Sequence, residues 1–504
     1  MHIAYRIKNI KARSSLLDLR ILVILGLLGL AGLVRAQVPK GFAINRASDL
    51  TPASNTVNDV LADADRLWAG TAGGLSITDD FGASWSTTTR ADGMGRGGVS
   101  AIAVRDSTIW VAFAFDTTTE YGSFDAGGGI SVSTDRGLTW RWIPQPVDSR
   151  DETRYKPTTT IIQNLTYDIA LTDSSVWITS FGGGLRRSRD QGLTWEVVTV
   201  DGFPFDALGR LEHRVFSAHF DGTSLWVGSA GGIHKTSDDG LTWTTFTHGN
   251  QTRGISGNFV VAVSSQTFGG RNVVWAATVE ALDTAEFRAL SWTEDGGLTW
   301  DIGLEGEFVH NVAVDPATGA VYAATDNGLF KTSDIGRTWA LFPPIRDSED
   351  GEGVYTTEMT SAAVDGSGGL WVGSVDGLAR TVDNGLTWTV FHAHPRPGTD
   401  KTPSTYAYPN PFSPMRHNVI SGDGHVRFRY RTETPVTVTV LVYDFGMNPV
   451  RTVVSGKDRP EPGDWAETWD GRNDIGEWVA NGVYFYRISC DNKSPLWGKV
   501  VVVN

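Results

Sequence analysis

Short apolar strands alternate with glycine-rich polar turns along most of this chain. Runs built on a central aromatic residue recur, as in Leu67-Trp68-Ala69-Gly70, Val176-Trp177-Ile178, Leu225-Trp226-Val227-Gly228, Val321-Tyr322-Ala323 and Leu370-Trp371-Val372-Gly373. Ahead of them stand alternating segments such as Ala101-Ile102-Ala103-Val104 and Asn311-Val312-Ala313-Val314. Period-two alternation bounded by turn residues marks half-buried strands. After each aromatic strand comes one phrase, Ser/Thr-x-Asp-x-Gly-x-Ser/Thr-Trp, which appears seven times. Its aspartates are Asp80, Asp135, Asp190, Asp238, Asp295, Asp334 and Asp383, and its tryptophans are Trp85, Trp140, Trp195, Trp243, Trp300, Trp339 and Trp388. These tryptophans fall about 50 residues apart on average, so each repeat holds four short strands, A to D, with the phrase in the C–D turn.

The residue types in the phrase have physical reasons. A short hydroxyl and an Asp two residues on both hydrogen-bond backbone N–H groups of a tight turn. Glycine takes a backbone conformation that a Cβ penalises. Tryptophan opens the next strand with a large apolar face to bury and one N–H to satisfy. The phrase resembles the Asp-box (BNR-type) repeat of sialidase-like and other β-propellers. That resemblance implies an all-β propeller; the seven four-stranded repeats make it a seven-bladed β-propeller, and the different strand pattern after them reads as a small immunoglobulin-like β-sandwich. It also implies that the seven aspartates are structural, neither catalytic nor metal-binding. Residues 40–50 are expected to add a strand to blade 7 and so tie the ends of the ring.

Spacing points to the face that carries function. From the strand-B aromatic to the box Asp the counts are 12, 25, 13, 12, 20, 12 and 12, so repeats 2 and 5 carry insertions between B and C. In an up-and-down blade the B–C and D–A connections emerge opposite the C–D turn, and variable loops on a rigid scaffold are where sites are built. The binding candidates there are Asp116, Glu120 and Tyr121 in the repeat 2 insert, and Arg150, Glu152, Arg154 and Tyr155 in the following connection. Arg253 precedes repeat 5, Glu280 and Glu286 lie in its insert, and Arg346, Asp350 and Tyr355 lie in the last long connection. Facing carboxylates are the groups for acid/base work on a glycosidic bond, whereas arginines hold an anionic sugar or peptide carboxylate.

Sialidases resemble the chain in their boxes but need an arginine triad, a Tyr–Glu pair and an early Arg-Ile-Pro segment. Ala43-Ile44-Asn45-Arg46-Ala47 is not that segment, and seven repeats are not the six sialidase blades. Xyloglucan-type hydrolases with such boxes work in a cleft between two propellers, and these boxes suffice for one. Other box-bearing propellers only bind. The expected activity is therefore binding of a glycan or an extracellular protein on the loop-rich face, with no cofactor or metal. The alternative is a glycoside hydrolase or lyase.

Residues 1–36 carry basic residues, an apolar run from Ile21 to Val34 and a Val34-Arg35-Ala36 cleavage pattern, which together read as a secretory signal peptide. Its removal leaves no other apolar run long enough for a transmembrane anchor. It also shifts the formal charge from −14 to −19, since six Lys/Arg and one Asp are lost, and so acidic a surface excludes nucleic acid as a partner. The single Cys490 makes no internal disulfide, which fits bacterial export.

The propeller is read over residues 37–394 and a proline-containing linker over 395–405. A different β pattern follows over 406–504, with strands at Val426–Arg431, Val436–Tyr443, Val450–Val454, Gly482–Ser489 and Lys499–Val503. Tyr408-Pro409-Asn410-Pro411-Phe412 opens it. Trp469-Asp470-Gly471-Arg472-Asn473-Asp474 forms a polar turn in which Trp469 and Tyr484 pack as anchors. These motifs resemble the FlgD-type Ig-like domain used as the C-terminal sorting domain of type IX secretion cargo. The resemblance implies export by that machinery to the outer surface of a Bacteroidota-like bacterium, or release from it.

Overall fold

The computed structural model describes residues 41–43, 48–349, 351–399, 401–491 and 493–503. The signal-peptide reading of residues 1–36 lies outside them. Two compact units are present: one combines the chain up to Pro343 with Glu358–His392, the other combines Pro344–Thr357 with Ala393–Asn504. Among the described residues, no helix is long and apolar enough to cross a membrane.

The first unit is a β-propeller. Among the described residues, seven antiparallel sheets, each with four strands consecutive in the chain, pack side by side. Their first strands are Val57–Asp63, Gly98–Arg105, Asp168–Leu171, Val215–Phe220, Phe259–Phe268, Val309–Val314 and Met359–Val364. Each touches the next, and the seventh touches the first, so the ring is closed. Among the described residues no strand is exchanged to close it. Instead Val60 N donates to Ser361 Oγ at 2.6 Å and Thr360 Oγ1 donates to Val57 O at 2.7 Å. The strands expected to complete the seventh sheet go elsewhere. Gly41–Ala43 pairs with Thr139–Ile143 at the outer edge of sheet 2, and Ser48–Asp49 pairs with Trp85–Thr88 at the outer edge of sheet 1. With the ring already joined by its inner strands, the N-terminal strands cover open outer edges instead.

The repeated turn has the same bonds in all seven copies. In sheet 4 the Thr236 hydroxyl donates to Asp238 Oδ1 at 2.8 Å and accepts from Gly240 N at 2.9 Å. Thr242 donates to Asp238 twice, from N at 2.9 Å and from Oγ1 at 2.6 Å. Thr242 and Thr338 hydroxyls, then their backbone N–H groups, pull Asp238 and Asp334 down to about 2. Every oxygen is thus spent on the turn itself. The glycine is required because Gly240 has φ 84, and the residue before it, Asp239, is also left-handed at φ 57.

The tryptophan of the repeated phrase joins sheets. Trp85, Trp195, Trp243, Trp300 and Trp339 each stand edge-on to the strand-B tryptophan of the preceding sheet, with centroids between 6.2 and 6.4 Å apart. Trp140 packs with Trp68 in the same way of joining sheets 1 and 2. At sheet 6 the aromatic is Tyr322, and Phe342 is inserted between it and Trp388.

The second unit contains a sandwich. A three-stranded sheet (Thr405–Tyr408, Val426–Thr432, Gly463–Trp469) faces a four-stranded one (Pro449–Arg459, Val436–Tyr443, Gly482–Cys490, Leu496–Val502). Phe428 stacks on Tyr486 at 4.2 Å between them, over a core that includes Phe412, Val440, Trp469, Ile488 and Val500. Trp469 and Tyr484 pack as expected, at 5.8 Å, with Trp469 Nε1 bonded to Arg472 O and the Tyr484 hydroxyl to Ala480 O.

Candidate functional site

The seven first strands surround a cavity of about 720 Å³. Six of them carry a one-residue bulge, at Asn58, Ser100, Phe216, Val261, His310 and Thr360. All six residues line the cavity. A bulge re-aims the side chain it carries, and three of these side chains reach across to a main-chain carbonyl of the next sheet. Asn58 donates to Val99 O at 2.8 Å, Ser100 to Thr166 O at 2.7 Å and Thr360 to Val57 O at 2.7 Å.

A second set of bonds runs the other way. Asp59 Oδ2 accepts from Ile102 N at 2.9 Å, Asp168 Oδ2 from Ala218 N at 3.0 Å, and Asn311 Oδ1 from Ala362 N at 3.1 Å. Both aspartates line the cavity, and both are pushed up to about 7. Burial is the main cause in each, with the charge of Asp168 adding to it at Asp59. Their use as acceptors for a neighbouring strand makes them part of the frame. Among the cavity's other titratable groups, half-buried His219 is held at about 4 by desolvation and bonds Ser265 Oγ at 2.7 Å.

On the loop side, the connections of sheets 2, 3 and 4 form one interlocked wall. The insert of sheet 2, expected as a loop, is a β-hairpin: Thr108–Thr119 pairs with Gly122–Ser133, setting Asp116 opposite Asp125 and leaving Glu120 and Tyr121 at the tip. Thr117 to Thr119 are β-branched and extend the strand beyond the sheet. The next connection adds to this hairpin, with Gly127 N donating to Ile161 O at 2.9 Å and Gln163 N to Asp125 O at 2.6 Å. It is tied in turn to the connection before sheet 4, where Lys156 N donates to Phe205 O at 3.0 Å. The wall exposes Tyr121, Phe203 and Leu208 at 54, 53 and 66 %. The Arg210 guanidinium stacks 3.7 Å over Phe203.

Arg150, Glu152 and Arg154 are exposed on this wall. Tyr155 is half-buried, and burial, followed by the charge of Asp148, pushes its hydroxyl up to about 12. Asp148 is itself buried against Arg186, which meets both its oxygens at 2.8 Å. Burial opposes the Asp148 carboxylate, and the Arg186 pair overrides that and holds it below the usual range. Sequence reading missed this pair, and also the pairing of buried His213 with Asp201 at 3.0 Å. Asp206 N donates to His213 Nδ1 at 2.8 Å, so both ring nitrogens are occupied in holding the loop. These partners stand 38 and 12 residues apart, and the carboxylate of each pair, Asp148 or Asp201, lies in an irregular connection that no periodicity marks.

Five other candidates lie outside this wall. Glu286 is buried and ties its loop to the connection ahead of the sheet 5 first strand, accepting from Asn258 Nδ2 at 2.6 Å and Asn258 N at 3.1 Å. Arg253 sits beside the repeated turn of sheet 5, where it pairs with Asp301 and its carbonyl accepts from Trp300 N. Its connection runs back along the open edge of the outer strand, which carries it away from the loop face. Arg346 and Tyr355 belong to the second unit, where the Arg427 guanidinium lies 4.8 Å over the Tyr355 ring. Glu280 faces Arg288 at 3.4 Å within its own loop. Asp350 lies outside the described residues.

No family model and no curated protein matches the chain. Solved structures do. A GH74 enzyme from Niastella koreensis aligns at 14 % identity over 90 % of this chain and 74 % of its own, with TM-score 0.50. An ancestral GH74 enzyme aligns at 16 % identity over 91 % of this chain and 64 % of its own, with TM-score 0.50. PorZ, a surface component of the type IX secretion system of Porphyromonas gingivalis, aligns at 15 % identity over 88 % of this chain and 64 % of its own, with TM-score 0.40. The chain thus spans 64 % of the length of PorZ and of the ancestral enzyme. At these identities the likeness to the two GH74 enzymes is one of fold, and that fold is the β-propeller.

Proposed function

We propose that the first unit is a seven-bladed Asp-box propeller that binds an extracellular glycan on its loop face. The second unit is proposed to be an Ig-like sorting domain that delivers it through type IX secretion to the surface of a Bacteroidota-like bacterium. What supports binding is the wall over sheets 2 to 4. Its three connections hydrogen-bond one another into a preorganised surface carrying Tyr121, Phe203 with Arg210, Arg150 and Arg154. Exposed aromatic faces with arginines beside them suit sugar rings and their anionic substituents. Two of the carboxylates nominated for acid/base work, those of the sheet 5 insert, are engaged locally: Glu286 accepts from Asn258, and Glu280 faces Arg288. The export reading rests on the Tyr408–Phe412 and Trp469–Tyr484 motifs and the sandwich they build.

A glycan array probed with residues 37–504, run beside reducing-sugar release from the same glycans, tests the binding reading. Retained binding without release supports it. Release would move the assignment to a glycoside hydrolase, and silence on all glycans would move it to a protein partner. Export is tested by deleting residues 406–504 in a bacterium with type IX secretion, where the truncated chain should stay in the periplasm.

A further inference from the structure

His310 occupies the bulge of the sheet 6 first strand, the place where Asn58, Ser100 and Thr360 send a donor to the next sheet. It is used differently. Its Nε2 lies 2.8 Å from Asp326 Oδ1, in the turn between the second and third strands of the same sheet. A carboxylate oxygen of Glu358, just ahead of the first strand of sheet 7, completes a group whose three ligand atoms lie within 4.8 Å of one another. We propose that His310, Asp326 and Glu358 form a site for a divalent first-row transition ion, with zinc the best fit.

The chemistry favours such an ion. One imidazole and two carboxylates supply a nitrogen and two oxygens, a donor set suited to zinc, and two negative charges that match the ion's own. The three ligands come from three separate elements, so the ion would bridge sheets 6 and 7.

The setting is built to hold the imidazole. Its side chain is only 7 % exposed. The Phe308 ring lies 4.9 Å away, and Asp326 N donates to Phe308 O at 3.1 Å, fixing the turn that carries the carboxylate. His310 and Phe308 both line the central cavity. An ion with three protein ligands keeps a coordination position open, and here that position would be reached from the cavity.

The test is calorimetric titration of chelator-treated, dialysed residues 37–504 with zinc, and separately with calcium and magnesium. The proposal expects one zinc per chain, preferred over the other two ions, and a zinc-dependent rise in melting temperature. Glu358→Gln should weaken zinc binding at least about tenfold, the scale seen for damage to metal-site shells. Asp326→Asn should do likewise, so the result does not hang on one variant folding. Cobalt should give a visible ligand-field spectrum in the wild-type chain that both variants lose. Absence of stoichiometric zinc binding, a preference for calcium, or equal affinity in wild type and both variants would overturn the proposal.

Discussion

The indole of Trp243, which closes the repeated turn of sheet 4, stands edge-on to that of Trp177 on the second strand of sheet 3, with centroids 6.3 Å apart and planes at 87°. One residue of the repeated phrase therefore belongs to two sheets. Its N–H is bonded to Gly240 O at 3.2 Å within its own turn, while its ring fills the neighbour's core. Trp177 is fully buried, so Trp177→Ala is expected to cost about 3–5 kcal/mol. Urea unfolding followed by circular dichroism reads it. Trp177→Phe keeps an edge for Trp243 and should cost less.

Asp59 and Asn311 do the same work at equivalent places in two sheets, each accepting a backbone N–H of the next sheet. Only one of them titrates. Because burial raises Asp59 from 3.8 to about 7, the folded chain binds more protons than the unfolded one between those values. Its stabilising share is fully present below about pH 4 and is lost as pH rises through 7. Asp59→Asn should leave stability near pH 4 little changed and raise it at pH 8 by about 2–4 kcal/mol. Melting temperatures across that range check the sign. An Asn variant that is less stable at pH 8 would contradict the account.

Glu352 is the clip of the second unit. Its carboxylate lies 3.1 Å from Arg427 Nε and 2.9 Å from Arg429 Nη1, and Arg427 Nη2 donates to Gly353 O at 2.7 Å. Arg427 is completely buried. Removing its partner strands a buried charge, so Glu352→Ala should destabilise the sandwich by about 3–5 kcal/mol. Residues 393–504 expressed alone lack this segment and should melt well below the same unit in the whole chain. A synthetic peptide of residues 344–357 should restore part of the loss, and calorimetry of the three samples decides it.

Much of the fold was legible because one phrase repeats. The Ser/Thr, Asp and Gly positions reported a local turn, and local hydrogen bonds are what sequence spacing encodes best. The strands of the sandwich were legible for the same reason, through the alternation in Val436–Tyr443 and Gly482–Cys490. The partners of the N-terminal strands were not legible. Gly41–Ala43 carries no mark of which open edge it will cover, and that choice was settled by ring closure through Ser361 and Thr360 instead.

The site was less legible than the fold. Charge in a connection was a fair sign of position for Arg150 and Arg154, which are exposed on the wall. It misled for Glu286 and Arg253, whose partners, Asn258 and Asp301, are 28 and 48 residues away in the chain. Arg346 and Tyr355 were read as loop-face residues, but their segment packs with Arg427 of the second unit. His310 gave one recoverable signal: a polar residue recurs just ahead of the alternating inner strand at Asn58, Ser100 and Thr360 as well.

If the wall over sheets 2 to 4 is a binding surface, its exposed tip matters for ligand and little for stability. Tyr121 is 54 % exposed, so Tyr121→Ala should leave the melting temperature within a degree or two, since surface changes shift stability by about 0.5 kcal/mol or less. A glycan that binds the wild-type chain should bind this variant several-fold more weakly, as biolayer interferometry would show. Loss of folding instead would mean the hairpin serves the sheet.

The most direct measurement is glycan-array binding by residues 37–504 with reducing-sugar release recorded from the same spots, for the wild-type chain and for a double variant, Tyr121→Ala with Phe203→Ala. The account predicts selective binding that the double variant loses, and no release from any glycan. Release of reducing sugar by the wild-type chain, or binding that the double variant keeps in full, would contradict it.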